Sequence, residues 1–413
     1  MHTLSQVKSG ELLGIKRLSL SENLRSFPME ILTLADSLEI LDLSNNQLTS
    51  LPKELIKLKK LKILFASDND FIALPEVLGQ CKNLEMIGFK SNKIQQVSEH
   101  SLPPKLRWLI LTNNKISKLP DSLGERPLLQ KLALAGNRLT ELPQTLAKSL
   151  NLELIRISAN QLTECPNQLL NLPKLAWIAF SGNPFSKVEI IKNTAPEISS
   201  TSYTLENELG RGASGIISKA RWNDEQDQFQ NDIAVKVFKG EVTSDGYPQD
   251  ELQACLKVGT HPNLVKSLAQ VNEKGYLALV MSLIPPQYKN LANPPSFESC
   301  TRDTFSHGFR LSIKDIDKII KQMEEVFNFL HSKQVCHGDL YAHNTLYDSD
   351  ANIIVGDFGA ATIYQMLNDK QQKQIKRIEA RALNYFIEDL LSVCKESDLE
   401  TEMYQLLKQG MIN

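Results

Sequence analysis

The stretch His337-Gly338-Asp339-Leu340-Tyr341-Ala342-His343-Asn344 sets an acid and an amide at a fixed spacing, Asn344 standing five residues after Asp339. Asp357-Phe358-Gly359 follows soon after in "IIVGDFGAA". Far upstream, Gly210-x-Gly212-x-x-Gly215 offers a glycine-rich turn, and glycines let a backbone approach phosphate oxygens without a Cβ in the way. That triplet is weak evidence alone. Here it lies between two strand-like runs, which suits a hairpin better than the strand-to-helix turn of dinucleotide-binding folds. Lys236 in "IAVKVF" and Glu251 in "DELQACLKVGTHPNLV" add a cation and a further carboxylate. Such a set suits phosphate chemistry, where positioning and charge neutralisation matter more than covalent catalysis.

Several elements must hold these groups. "YTLENELGRGASGIISKA" reads as two strands around the glycines, "IAVKVF" as a third and "YLALVMSLI" as a later one. Glu251 falls on a predicted helix that ends before Pro262. Residues 312–332 show helical spacing through Ile313, Ile316, Ile320, Met323, Phe327 and Leu330, with Ser312 as the cap.

Taken in order, these pieces resemble the protein kinase family over about residues 203–395. The resemblance implies a two-lobed α+β domain, 203–413, with a small lobe of about 203–282 and a shortened large lobe of about 283–413. It implies ATP and Mg2+ as cofactors. Asp339 would accept the hydroxyl proton, and Lys236 would hold phosphates with Glu251 as its ion-pair partner. Asn344 and Asp357 would bind magnesium. Gly210, Arg211, Gly212, Ala213, Ser214 and Gly215 would cover the nucleotide. Ile217, Ala234, Met281, Leu283 and Leu346 would enclose the adenine. His337 is expected to pack and hydrogen-bond locally.

The departures from the family are specific. Gly338 stands where kinases commonly carry an Arg that receives an activation-segment phosphate. The segment after Asp357 is short and holds no A-P-E, so phosphorylation-dependent activation is not expected. Tyr341 stands where serine/threonine kinases usually place a Lys, and His343 or Arg302 is the candidate for compensation. Glu379 is expected to anchor the catalytic loop in place of an Asp, and Asn384 sits where its helix often has Gly. The leading expectation is a serine/threonine protein kinase. A pseudokinase scaffold and a small-molecule kinase are the alternatives.

The first half of the chain is a repeat array. Asparagines 23, 46, 69, 92, 114, 137, 160 and 183 recur every 22 or 23 residues in the frame L-x-x-L-x-L-x-x-N-x-L, as in Leu38-Leu41-Leu43-Asn46-Leu48. This resembles the leucine-rich repeat family and implies a β/α solenoid over 1–186, followed by a linker at 187–202. The overall class is therefore multidomain, a leucine-rich repeat solenoid and then the kinase-like domain. At the third position of each frame stand Ile40, Ile63, Met86, Trp108, Lys131, Leu154 and Trp177. The apolar members of this column are expected to form an exposed protein-binding face.

Composition sets the bounds. The 413 residues are 42% hydrophobic and 23% charged, ordinary for a globular chain. Through residue 195 the sequence has 24 basic and 18 acidic side chains, and after it 22 and 30. No dense basic stripe appears, so nucleic acid is not expected as a partner. No apolar run is long enough for a membrane span, and a cytoplasmic location is expected. The six cysteines are scattered, which points to free thiols.

Overall fold

The structure, a computed structural model, describes residues 2–188, 195–212, 214–224, 232–240 and 242–410. It divides into two compact units, Met1–Leu175 with Asn183–Phe185, and Ala176–Gly182 with Ser186–Asn413.

The first unit opens with α1 (Leu4–Lys8), whose start is closed by a Thr3–Gln6 capping box. Seven short strands follow: β1 (Arg17–Ser19), β2 (Ile40–Asp42), β3 (Ile63–Phe65), β4 (Met86–Gly88), β5 (Trp108–Ile110), β6 (Lys131–Ala133) and β7 (Leu154–Arg156). Each pairs with the next in parallel, so Leu18, Leu41, Leu64, Ile87, Leu109, Leu132 and Ile155 come into one row. All seven are fully buried, which is why no repeat is stable without its neighbours.

The asparagines form the ladder that their period implied. Asn46 Oδ1 accepts the Glu22 and Leu24 N–H groups at 3.0 and 2.9 Å, and its Nδ2 donates to Leu20 and Leu43 carbonyls at 2.8 and 2.9 Å. Asn69, Asn92, Asn114, Asn137 and Asn160 repeat the scheme. Residues just before them (Asn45, Asp68, Ser91, Asn113, Gly136, Ala159) adopt left-handed backbone, turning the chain so that the amide points inward. Pro28, Pro52, Pro120, Pro143 and Pro166 stand just before the short helical turns of the return segments, including α3 (Asn167–Leu170); α2 (Val77–Gln80) occupies the equivalent place after Pro75.

The expected apolar face needs correction. Ile63, Met86, Leu154 and Trp177 are buried, leaving only Ile40 and Trp108 half-exposed. The Lys131 ammonium lies 4.3 Å from the centre of the Trp108 ring. The frame fixes which way these side chains point but not what packs on them.

The second unit begins earlier than the repeat pattern suggests. β8 (Trp177–Ala179), the strand of the last repeat copy, belongs to it. Of the expected linker, residues 189–194 lie outside the described residues. Its later part is not a free tether. Ile198 N–H donates to the Gln270 carbonyl at 2.9 Å and Gln270 N–H to that of Pro196 at 3.0 Å, and Ile198 packs on the small-lobe core.

That lobe is a five-stranded antiparallel sheet. Its strands are β9 (Tyr203–Arg211), β10 (Gly215–Trp222), β11 (Asp232–Phe238), β12 (Ser267–Glu273) and β13 (Tyr276–Ser282), in the order β12-β13-β11-β10-β9. The helix α4 (Pro248–Val258) precedes β12, with Pro248 at its first position and Asp250 and Glu251 in its first turn. In the large lobe β14 (Lys289–Asn290) precedes α5 (Ile313–Ser332), whose first turn is capped by Ser312 accepting the Asp315 N–H at 3.2 Å. After it come β15 (Val335–Cys336), β16 (Thr345–Tyr347), β17 (Ile353–Val355) and β18 (Thr362–Ile363), then α6 (Asp369–Ser392) and α7 (Glu402–Gln409). β14 pairs with β16, β16 with β17, and β15 with β18. No helix among the described residues is long and apolar enough to cross a membrane.

Candidate active site

A cavity of about 520 Å3 opens in the second unit. Strand register explains most of its lining. Lys236 on β11 lies opposite Ile217 on β10 and Leu279 on β13, and Ala234 lies opposite Met281. Ile217, Ala234, Met281, Leu283 and Leu346 all line the cavity, as do Gly210, Gly212, Ser214 and Gly215. Gly212 N–H donates to the Gly215 carbonyl at 2.9 Å, closing the hairpin. A Cβ on Gly215 would come 2.5 Å from the Val237 carbonyl oxygen, so this glycine is required by the close approach of β11. Arg211, expected here, instead pairs with Glu208 at 2.6 Å and is absent from the lining. Ala213 lies outside the described residues.

Lys236 and Glu251 meet in a buried ion pair. Burial works against the Lys236 charge, but the Glu251 and Asp357 carboxylates outweigh it and hold the ammonium above its usual range. Asp357 lines the same cavity and adopts a left-handed backbone, φ +52°. A non-glycine residue in that region costs about 1–3 kcal/mol, and such strain gathers at functional sites.

The catalytic-loop stretch is held from several sides. Asn344 Nδ2 donates to the Asp339 carbonyl oxygen at 2.9 Å and to Asp339 Oδ2 at 3.0 Å. This orients the Asp339 carboxylate while leaving Asn344 Oδ1 unspent on either bond. His337 is fully buried; its Nε2 lies 3.0 Å from the Gly356 carbonyl oxygen and its ring stands 5.1 Å from that of Phe358. It packs, as its position implied. Glu379 on α6 accepts the Gly338 N–H at 2.9 Å and stands 2.9 Å from His331 Nε2. Burial opposes its ionisation, yet the His331 and His337 rings and the Gly338 N–H together hold its carboxyl below the usual range.

Two residues flagged for compensation separate here. Arg302 is committed elsewhere, bound to Asp389 at 2.6 Å and Glu388 at 2.9 Å and donating to the Tyr385 carbonyl. It does not serve the cavity. His343 does line it, with Nδ1 2.6 Å from Asp303 Oδ1. Burial works against its protonation, but Asp303, then Asp339 and Asp357, raise its pKa above the usual imidazole value. The other departure, Tyr341, is buried and is not among the residues lining the cavity. Its ring stacks on Trp177 at 4.5 Å between centroids.

Sequence reasoning missed Asp303. This buried carboxylate accepts the Ala342 and His343 N–H groups at 2.7 and 3.1 Å as well as the His343 ring, so it shapes the loop that carries Asn344. The only signal in the sequence is its place next to Arg302, in the stretch before α5. After Asp357 the chain runs through β18 directly into α6 at Asp369.

Among the described residues no cluster of three His, Cys, Asp or Glu side chains forms a metal site. The donor set of the cavity nevertheless fits a hard divalent cation, since Asn344 and Asp357 both line it and both offer oxygen.

Comparison with known proteins agrees with this geometry. Residues 203–382 match the protein kinase domain family, and residues 37–58 and 105–125 match the leucine-rich repeat family. The chain is 32% identical over 165 residues to a mouse (Mus musculus) cytoplasmic tyrosine-protein kinase, BMX, covering 40% of this chain and 22% of that protein. It is 27% identical over 167 residues to a chicken (Gallus gallus) tyrosine-protein kinase receptor, TYRO3, covering 39% and 19%. It thus spans about a fifth of the length of these relatives. A solved leucine-rich-repeat protein of Leptospira interrogans aligns at 24% identity over 44% of this chain and 53% of that one, with a TM-score of 0.37, too low to carry an argument. A protein kinase domain implies use of ATP and a divalent metal. The chain is built of leucine-rich repeats followed by a protein kinase domain.

Proposed function

We propose that this chain is an ATP- and magnesium-dependent protein kinase that retains a complete catalytic set despite Gly338 and Tyr341. The observation that carries this reading is the Lys236–Glu251 ion pair beside Asp357 and Asn344, with Asp339 oriented by Asn344. Pseudokinase scaffolds commonly lack one of these groups, and none is missing here.

In this reading Asn344 and Asp357 hold Mg2+, which when bound neutralises phosphate charge. Lys236 binds the α- and β-phosphates, and Glu251 keeps its ammonium in place. Asp339 orients the acceptor hydroxyl and takes its proton. His343, whose pKa Asp303 raises, adds charge near the transferring group when protonated. Gly210, Gly212 and Gly215 allow the hairpin to close over the phosphates.

The acceptor is a protein hydroxyl. Serine or threonine is the expectation from the sequence, while the similarity to tyrosine kinases favours tyrosine. Recruitment of the substrate by an exposed apolar column is not part of the proposal, because four of its six residues are buried. Transfer of labelled γ-phosphate to a mixture of protein acceptors, followed by phosphoamino-acid analysis, tests the reading. Label on a small molecule and on no protein would replace it with the small-molecule alternative.

A further inference from the structure

We propose that Ala176–Gly182 is a built-in strut of the kinase active site and that Trp177 is the residue through which it positions the catalytic loop. This rests on the kinase reading above. The segment belongs to the second unit, although its sequence is that of a repeat strand.

Its contacts fall beside three of the site's acidic residues. Next to Asp339, the Trp177 Nε1–H donates to the Leu340 carbonyl at 3.1 Å, and the indole lies flat on the Tyr341 ring, 4.5 Å between centroids and 9° from parallel. Tyr385 of α6 also stacks on the indole, at 5.3 Å and 23°. The indole is only 1% exposed. Before Asp339, a Cβ on Gly338 would fall 2.8 Å from the Ile178 carbonyl oxygen. Downstream of Asp357, the Phe180 N–H donates to Thr362 Oγ1 at 3.3 Å. Beside Glu251, a Cβ on Gly182 would fall 2.7 Å from Asp250 Oδ2 and 2.6 Å from Tyr247 Cδ2.

One short segment therefore touches the catalytic loop, the strand that follows Asp357 and the first turn of α4. In a kinase regulated by its activation segment, an Arg beside the catalytic Asp gathers such elements after phosphorylation. Here the Ile178 carbonyl stands where a side chain at position 338 would begin and the indole packs on the residues after Asp339, so the two departures of the loop are the residues the strut needs. Gly338 leaves room for the Ile178 carbonyl, and Tyr341 supplies the ring that Trp177 covers. The active arrangement is held by packing rather than by a phosphate.

The test uses the full chain with Trp177→Ala, Trp177→Phe and Thr362→Val, reading kcat and KM for ATP together with amide exchange over residues 339–345. A misplacement of about 1 Å at a reacting group costs on the order of 100-fold. The Ala variant is expected to lose about 10- to 100-fold in kcat, with KM for ATP within about 2-fold and faster exchange across the loop. The Phe variant keeps a flat ring and should recover most of the loss. Thr362→Val keeps the size of the side chain and loses the acceptor, so it should show a smaller fall of the same kind if the Ala variant does not fold. Unchanged kcat and unchanged loop exchange in a folded Ala variant would overturn the proposal, as would equal losses in the Ala and Phe variants. An inactive parent would instead count against the kinase reading, and the exchange measurement would still decide the strut.

Discussion

The carbonyl oxygen of Ile178 lies 2.8 Å from where a Cβ on Gly338 would stand, and that of Ala360 lies at 2.6 Å. Gly338 also has φ +72°. Both oxygens are backbone, so neither can rotate away. Gly338→Ala should therefore destabilise the chain by at least about 1–2 kcal/mol from the left-handed backbone alone. Gly338→Arg should abolish folding or activity rather than restore a family residue. Thermal unfolding of both variants checks this; an Arg variant as active and stable as the parent would contradict it.

The Lys236–Glu251 pair is buried on both sides, with side chains 10% and 4% exposed. Removing one partner leaves a charge without its counter-ion in a poorly solvated place. Glu251→Gln should cost about 3–5 kcal/mol in denaturant unfolding. It should also lower kcat/KM by about 100-fold as Lys236 loses its fixed position. A loss in stability with phosphotransfer intact would argue against a role for this pair in binding phosphate.

Asp303 and His343 should separate by readout. Asp303→Asn weakens the acceptor for two loop N–H groups and a ring. It should cost about 1.5–3 kcal/mol of stability. His343→Ala leaves the buried Asp303 carboxylate short of one partner, so it should also cost about 1.5–3 kcal/mol of stability, but it alone should reduce kcat about 10-fold, with partial rescue of kcat by His343→Lys. An Ala variant that matches the parent in kcat would remove His343 from the mechanism.

Asp250 predicts a pH effect on stability. Its Oδ2 is buried without a hydrogen-bond partner, and burial pushes the carboxyl up to about 6, with the Ser181 hydroxyl pulling the other way. A carboxyl raised on folding holds its proton in the folded state while the unfolded chain has released it. Stability is then lost as pH climbs from the unfolded value toward 6. Asp250→Asn should be more stable than the parent at pH 8, by at most roughly 3 kcal/mol, and equal to it near pH 4. The melting-temperature difference at the two pH values is the check, and one that does not change with pH would contradict the assignment.

Much of the framework was legible because it depends on local spacing. The period of the asparagines gave the ladder, and the order of the kinase-like pieces gave Lys236, Glu251, Asn344 and Asp357, which line one cleft; Asp339, outside that lining, is tied to it through Asn344. What stayed hidden depends on distant contacts. Trp177 obeys the repeat frame, so nothing nearby marks it as part of the second unit. Ile63 and Met86 occupy positions whose exposure is decided by packing, not by the frame. Arg302 looked free because its partners Glu388 and Asp389 lie far along the chain, while Asp303 beside it drew no notice.

The most direct measurement is magnesium-dependent transfer of the γ-phosphate of labelled ATP to protein by the full chain, set beside Asp357→Ala. Incorporation by the parent that disappears in the variant is the predicted result, and it would show that a catalytic loop with Gly338 and Tyr341 works. Magnesium-dependent ATP binding by the parent, with no phosphate transferred to any acceptor, would contradict the account.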